Sequence, residues 1–374
     1  MRLLVLYQAR DAAKDQPGYY DGFQRLVNEG LLDAHAAIPY RGVAQARGWD
    51  AVWAEAAQQA RTMEADAVFL QFFHGEMPDP TEPIRRLKGF QAKPMIFTSL
   101  GDAYGRWARR VPKSFQIASA LSDVTFLTGM GYLARKLAQS GSRNLVLMPH
   151  GCCQIRFASP VHMDQRPEFD VIFVGSRYRS RNPAAFWLAR RRTQMVEAFT
   201  ARYGRRFGLF GHGWDGNPSW QGPLPFDQQQ VVCGKSTTTL GGMPGGYHDY
   251  YLSDRPFIAA ASGVPLVDYA VRGVEHILKP GVDWWLAKDI KEMIACCDHL
   301  IEMSFSERLA LGIRARERAL TKHTQYHRCL EMVEIVHDLH SARLAGRSAK
   351  EPKLTFLAEV RTQETPPAIV GWQG

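Results

Sequence analysis

What this sequence lacks narrows its class first. No apolar run approaches the roughly 18 residues of a membrane-spanning helix, so no span is expected. The N-terminal apolar stretch, Leu3 to Tyr7, is only five residues long. That is shorter than the apolar region of a secretory signal, and no small-residue cleavage pattern follows. The six cysteines include two adjacent pairs, Cys152-Cys153 and Cys296-Cys297, and none forms Cys-x-x-Cys. Neither a zinc site nor a disulfide framework is expected, and a reducing cytoplasm is the simplest compartment. Two nucleotide-binding patterns are incomplete. Gly234-Lys235-Ser236 ends like a P-loop, but Gln229 stands where the first glycine is required. Gly211-His212-Gly213-Trp214-Asp215-Gly216 has the spacing of a dinucleotide loop, but Asn217-Pro218 follows at once. No helix N-terminus is then left to receive a pyrophosphate, and a dinucleotide cofactor is not expected.

What is present is a globular composition, 45% hydrophobic and 22% charged, long enough for two domains with separate cores. Short apolar runs at Leu3–Tyr7, Ala67–Phe73, Pro94–Ser99, Val124–Thr128 and Asn144–Met148 read as strands. Helical segments at Tyr20–Leu32, Trp49–Met63, Thr81–Phe90, Lys113–Leu121 and Gly131–Gln139 separate them, with Thr81 as N-cap. A polar, proline-containing stretch from Ala158 to Pro167 reads as a linker, and the alternation then restarts. Strands are expected at Asp170–Val174, Phe207–Phe210 and Pro265–Tyr269, and helices at Pro183–Tyr203, Arg255–Ala261, Ile290–Met303, Ser306–Thr321 and Tyr326–Leu344. Such alternation predicts an α/β architecture of two Rossmann-like domains facing across a cleft. The boundaries are 1–158, 159–345 and a polar tail, 346–374, without regular structure.

The net charge of +9 is concentrated in part: Arg177 to Arg206 holds nine arginines and one acid, Glu197. Arg190 to Arg192 are either a solvated helix face or part of a surface for phosphates. The strand Phe169–Val174 runs into Gly175, Ser176 and Arg177, just before a helix. A glycine there admits a phosphate to the backbone, and arginine offers a planar, permanently charged fork for its oxygens. A plain strand-to-helix loop with solvated arginines remains the alternative.

Further motifs carry a resemblance. Ser253-Asp254-Arg255-Pro256-Phe257 through Gly263-Val264-Pro265-Leu266-Val267 resembles the helix–glycine–strand signature of group 1 glycosyltransferases. More narrowly, the chain is similar to the spore-maturation (CgeB-like) family through Gly273–Leu278, Lys279-Pro280-Gly281, Lys288-Asp289-Ile290, Ser306-Glu307-Arg308 and Lys322–Arg328. Phe173–Arg177, Arg181, Gly211–Trp214 and Lys235 complete the order, over roughly residues 169–330. The resemblance implies the GT-B fold, with the second domain binding a nucleotide-diphosphate sugar, UDP-sugar foremost, as co-substrate and no other cofactor. It implies that Gly175, Ser176, Arg177, Arg181 and Lys235 surround the diphosphate, with Ser253, Asp254, Arg255 and Glu275 beside the ribose and base. It implies no metal, and the chain has no Asp-x-Asp. It also exposes a departure: where many group 1 enzymes carry two glutamates eight positions apart, this chain has Tyr250 and Ile258.

In the first half, polar residues follow the strands: His74, Glu76, Asp102 and His150. Each is either a turn residue or a cleft residue, and Asp102, with His74, is the candidate to take a proton from an acceptor hydroxyl. Arg106, Trp107, Arg109 and Arg110 follow Asp102 and suit a nucleic-acid acceptor. The expected function is sugar transfer to an acceptor hydroxyl, foremost a hydroxymethylated base in DNA, in the cytoplasm of a host if the chain is phage-encoded. A polysaccharide or small-metabolite acceptor, or a non-catalytic sugar-nucleotide-binding protein, are the alternatives.

Overall fold

A computed structural model describes residues 1–72, 77–102, 110–159, 162–177, 183–242, 248–357 and 365–374. The first domain contains β1 (Arg2–Tyr7), α1 (Ala12–Asp15), α2 (Pro17–Asn28), β2 (Ala34–Pro39), α3 (Tyr40–Arg47), α4 (Trp49–Thr62), β3 (Ala67–Leu70), α5 (Thr81–Lys88), β4 (Met95–Leu100), α6 (Lys113–Leu121), β5 (Val124–Leu127), α7 (Tyr132–Gln139) and β6 (Leu145–Leu147). The second contains β7 (Phe169–Val174), α8 (Pro183–Tyr203), β8 (Phe207–Phe210), β9 (Trp220–Gly222), α9 (Gln229–Gly234), β10 (Ser236–Leu240), α10 (Arg255–Ala261), β11 (Leu266–Tyr269), β12 (Trp284–Ala287), α11 (Ile290–Glu302) and α12 (Phe305–Lys322). The chain ends with α13 (Gln325–Leu344) and β13 (Ile369–Val370).

Two sheets result, ordered β13-β6-β5-β4-β3-β1-β2 and β12-β11-β10-β7-β8-β9. Every pairing is parallel except β13 with β6. Continuous apolar runs such as Leu3-Leu4-Val5-Leu6 form central strands because helices cover both faces of a parallel sheet, and all four residues are fully buried. The architecture of two parallel-sheet α/β domains expected from the alternation is therefore present, and among the described residues no helix is long and apolar enough to cross a membrane.

Among the described residues the structure adds five strands that apolar periodicity did not mark: β2, β9, β10, β12 and β13. β2 (AHAAIP) is an edge strand rich in alanine. β10 (STTTL) is hydroxyl-rich but fully buried, and Thr238 satisfies its hydroxyl by donating to the Pro265 carbonyl at 2.9 Å. β12 starts with the buried Trp284. The expected cap Thr81 is instead the first helical residue, and the Asp79 carboxylate accepts from its backbone N–H.

The ends of the expected domains also shift. α13 packs on α2 of the first domain, and the buried residues of α13 belong to the first domain's core. The tail, expected to lack regular structure, contributes β13 to the first sheet, where Ile369 lies opposite Val146. Its apolar residues Leu354, Phe356, Leu357 and Ala368 are buried, which is why a polar segment docks.

One side chain joins these parts. Arg328, at the start of α13, is fully buried. It donates to the carbonyls of Pro149 (2.9 Å), His150 (3.3 Å) and Lys322 (3.2 Å), and to His323 Nδ1 at 2.9 Å. Its guanidinium also lies over the rings of Phe257 and Phe356. Burial lowers its pKa to about 10, so it is charged at neutral pH. His323 must be neutral at Nδ1 to accept that bond, and burial followed by the Arg328 charge holds its pKa well below the usual value. The nearby Glu331 accepts the backbone N–H and hydroxyl of Thr355, tying the tail to α13.

Replacing Arg328 with alanine strands these carbonyls without a donor, and urea denaturation should show a loss of about 3 kcal/mol or more. Arg202→Ala, which breaks the exposed pair with Asp298, should cost less than about 1 kcal/mol in the same measurement.

Acid should weaken the fold. Burial lowers His35 and His327 to about 4, and His323 also lies well below its ordinary value. In the unfolded chain these rings take up protons below about pH 6.5. The folded chain resists protonation down to about pH 4, so the unfolded state binds more protons across that window. Stability is thus retained above about 6.5 and lost as pH falls toward about 4. Urea midpoints measured from pH 7 to 4.5 should decline, and the decline should be shallower in His35→Phe.

Candidate active site

In the second sheet β7 lies between β8 and β10. The chain leaves β7 toward β8 and β9, then returns to the other side at β10, so the C-terminal ends of β7 and β10 bound a topological switch point. Ligands of open α/β sheets bind in the crevice there. Gly175 follows β7, and a Cβ on it would lie 2.8 Å from the Phe173 ring and 3.1 Å from Arg255 Nη2. Gly242 follows β10 at φ +67°, and a Cβ there would lie 2.5 Å from the same ring. No other residue fits either place without displacing Phe173.

Arginines gather around this ring. Arg255, first in α10, donates from Nε to the Val174 carbonyl at 2.8 Å, and its guanidinium carbon is 5.6 Å from the Phe173 centroid. Arg192, from α8, donates to the Ser176 carbonyl at 3.1 Å and lies 5.8 Å from that centroid. Arg177 lies 5.7 Å from the ring of Trp214, whose indole N–H donates to the Gly175 carbonyl at 2.8 Å. Arg191 lies 5.6 Å from the Tyr269 ring. Aromatic faces and strand-end carbonyls both attract cations, which explains why four guanidinium groups hold position at one sheet edge. Such an edge suits a diphosphate, and it would stabilise the charge that a departing nucleoside diphosphate gains.

One acid belongs to the same edge. The buried carboxylate of Asp268, in β11, accepts the Tyr269 N–H at 2.8 Å and occupies the space where Gly241 would carry a side chain. Among the described residues, no group of three or more His, Cys, Asp or Glu side chains is placed to hold a metal ion.

The structure brings some of the expected donor residues together and separates others. Gly175, Ser176, Arg177 and Arg255 meet at the switch point, and Ser253 Oγ accepts from Arg255 at 3.4 Å. Asp254 contributes its carbonyl to the first turn of α10, accepting from Ile258 N–H. Glu275 lies on the short turn Val274–His276 after β11, its carboxylate half exposed and 3.8 Å from His276 Nε2. Lys235 lies elsewhere. It precedes β10, Ser236 pairs with Phe169 at the start of β7, and its ammonium is 3.4 Å from Glu168. That is the N-terminal edge of the sheet, on the order of 20 Å from Gly175 at six strand residues of about 3.3 Å. A residue preceding a strand of a parallel sheet cannot reach the edge where its neighbours end. Arg181, His74, Arg106, Trp107 and Arg109 lie outside the described residues.

The first domain supplies the facing edge. Gly101 and Asp102 follow β4, and His150, after β6, donates from Nε2 to the Gly101 carbonyl at 2.7 Å. Asp102 is partly exposed and Arg110 is exposed. Gln71 lies at the first sheet's own switch point, between β1 and β3. Its side-chain carbonyl accepts Gln8 N–H at 3.2 Å, and its buried amide nitrogen has no partner among the described residues. The two edges meet where residues 248–251 dock on the glycine loop after β5: Met130 N–H donates to the Asp249 carbonyl at 2.8 Å.

Sequence reasoning missed Arg191 and Arg192 as site residues, and it missed Asp268 and Gln71. The first two were ambiguous between solvent and phosphate, and only the phase of α8 against the sheet separates those roles. Asp268 carried a signal, an acid ending an otherwise apolar strand. Gln71 was absorbed into the strand expected at Ala67–Phe73.

None of the curated proteins matches the chain in sequence. Solved structures share its fold. Sucrose-phosphate synthase from Thermosynechococcus elongatus aligns with a TM-score of 0.59 at 12% identity, over 91% of this chain and 100% of that one. HepE from Anabaena, solved with UDP and glucose, aligns with a TM-score of 0.54 at 12% identity, again over 91% and 100%. T4 phage BGT, solved with UDP-glucose, aligns with a TM-score of 0.50 at 12% identity, over 89% and 99%. The fold is thus the GT-B fold of nucleotide-sugar glycosyltransferases, and residues 190–334, which run from the arginines of α8 to α13, match the family model described as glycosyl transferase-like.

Proposed function

We propose that the chain is a glycosyltransferase that takes a sugar from a UDP-sugar and places it on an acceptor hydroxyl. The observation that carries this reading is the convergence of Arg177, Arg192 and Arg255 on the glycine-lined switch point of the second sheet. UDP in the HepE structure and UDP-glucose in the T4 phage BGT structure support the donor class. In the reaction, the acceptor oxygen bonds to the anomeric carbon as the bond from that carbon to the phosphate oxygen breaks. UDP leaves with the electron pair, and the arginines offset its new charge. The proton of the acceptor hydroxyl passes to the Asp102 carboxylate, which lies on the opposite edge.

For the acceptor we infer DNA carrying a hydroxymethylated base. The net charge of +9 and the run Arg106, Trp107, Arg109 and Arg110 directly after Asp102 support it. Arginines there would meet phosphates, and the nearby carboxylate would meet the hydroxyl of a base turned out of the stack.

Titration calorimetry with UDP tests the donor site. Arg255→Ala and Arg192→Ala should each weaken binding by about 1.5–3 kcal/mol, the scale of a charged hydrogen bond. Lys235→Ala should leave it unchanged, because that ammonium serves the other edge of the sheet. Equal affinity in all three variants and the wild type would remove the arginines from the site.

Duplex binding at several salt concentrations tests the acceptor. Affinity should fall steeply with salt, and Arg110→Ala should lower the slope of log affinity against log salt by about one unit. A wild-type chain with no salt-dependent affinity, which also modifies no hydroxymethylated DNA with any UDP-sugar, would replace DNA with a polysaccharide or metabolite acceptor.

A further inference from the structure

The tail fastens the two domains to each other beside the cleft. β13 runs antiparallel to β6: Leu147 N–H donates to the Ala368 carbonyl at 2.8 Å, and Asn144 N–H to the Gly371 carbonyl at 3.0 Å. This direction puts the residues before β13 at the C-terminal edge of the first sheet, where Asp102 and His150 also lie. There they meet the second domain. Tyr250 donates its hydroxyl to the Pro366 carbonyl at 2.6 Å, and Thr365 Oγ1 lies 3.3 Å from His276 Nε2.

Tyr250 is fully buried and sits at φ +62°, a left-handed conformation that disfavours a bulky residue. Its surroundings hold it there. Its N–H donates to the Arg272 carbonyl at 2.8 Å. Its ring packs on Gly273, at φ +92°, where a Cβ would lie 2.8 Å from that ring and 3.0 Å from Pro366 Cγ. The preceding Asp249 takes the N–H of Met130 from the first domain. One tyrosine therefore touches a loop of the second domain and the tail that belongs to the first sheet, next to a direct contact between the domains.

The chain otherwise passes between domains in two neighbouring stretches, joined by the bridge of Cys152 with Thr324. Beside these crossings α10 and α13 share an apolar core with the first domain. The attachment of Tyr250 to the tail is carried by different residues and opposes rotation of one domain against the other. We propose that Tyr250 is a positioning residue: by clasping the tail it holds the two domains at the separation where donor and acceptor groups meet. Its consequence for transfer rests on the glycosyltransferase reading above, whereas the clasp itself does not.

The test compares wild type with Tyr250→Phe, which keeps the ring and backbone but loses the hydroxyl, and with Thr365→Val, which loses the His276 contact. Hydrogen exchange at the Leu147 and Asn144 amides reports detachment of the tail directly. Both variants should exchange faster there, by about ten-fold for Tyr250→Phe, the effect of losing one buried hydrogen bond. Small-angle scattering should show a larger radius of gyration without UDP. Transfer kcat/KM should fall about ten-fold while UDP affinity stays within about two-fold, because the arginine edge lies wholly in the second domain; general structural damage would lower both together. Unchanged exchange at Leu147 and Asn144 in both variants would overturn the clasp. Faster exchange with unchanged scattering and unchanged kcat/KM would overturn the positioning role. A wild-type chain that neither binds UDP nor transfers sugar would overturn the glycosyltransferase reading alone, since exchange and scattering still decide the clasp.

Discussion

The arrangement of the two domains depends on one buried cation. Among the described residues no carboxylate is bonded to Arg328, which instead faces the carbonyls of Pro149, His150 and Lys322 and the neutral ring of His323. The acceptors come from the two stretches where the chain crosses between domains: Pro149 and His150 after the first sheet, and Lys322 and His323 between α12 and α13. A guanidinium suits this place because its donors form a planar fork that meets several carbonyls at once, which an ammonium on a flexible stem does not. The same bonds fix the His150 backbone, and the His150 ring in turn holds Gly101. The network thus reaches from the domain crossings to the residue next to the proposed proton acceptor.

The second sheet's switch point rests on a different constraint. Its glycines leave room for the Phe173 ring beside the strand ends, and the ring then seats Arg192 and Arg255. Carbonyls at the strand ends supply the second attraction. A charged site is thereby built on an apolar floor, where positive groups stay partly desolvated and act more strongly on a diphosphate than they would in open solvent.

The departure from the glutamate pair of group 1 enzymes acquires a physical meaning here. Tyr250 and Ile258 are both buried and both belong to the apolar core that α10, α13 and the tail share with the first domain. These positions serve the junction. Asp268, a buried carboxylate on the same strand edge as the arginines, is the acid that the second domain does place by the crevice.

Periodicity was enough to read two α/β domains, because buried parallel strands are apolar on both faces and their helices keep one apolar stripe. It put Gly175 and Arg177 at a sheet edge for a similar reason: a loop that directly follows a buried strand must lie at the sheet's C-terminal edge; Arg255 came from the resemblance to group 1 glycosyltransferases instead. Where the signal lay outside apolar alternation it failed, as for the threonines of β10 and the alanines of β2. It also failed wherever a role depends on strand order. The resemblance implied a diphosphate role for Lys235, but the pairing of Ser236 with Phe169 puts it at the other edge. Arg192 stayed open between solvated surface and phosphate contact until the packing of α8 turned it to Ser176. The return of α13 and β13 to the first domain is likewise invisible in local sequence, since it depends on contacts between residues more than a hundred positions apart. The two layered domains and the chemistry of their loops follow from local pattern and are therefore legible in the amino-acid order. Which loops share an edge, and how the tail joins the domains, follow from strand order and from packing between distant segments, which no local pattern carries.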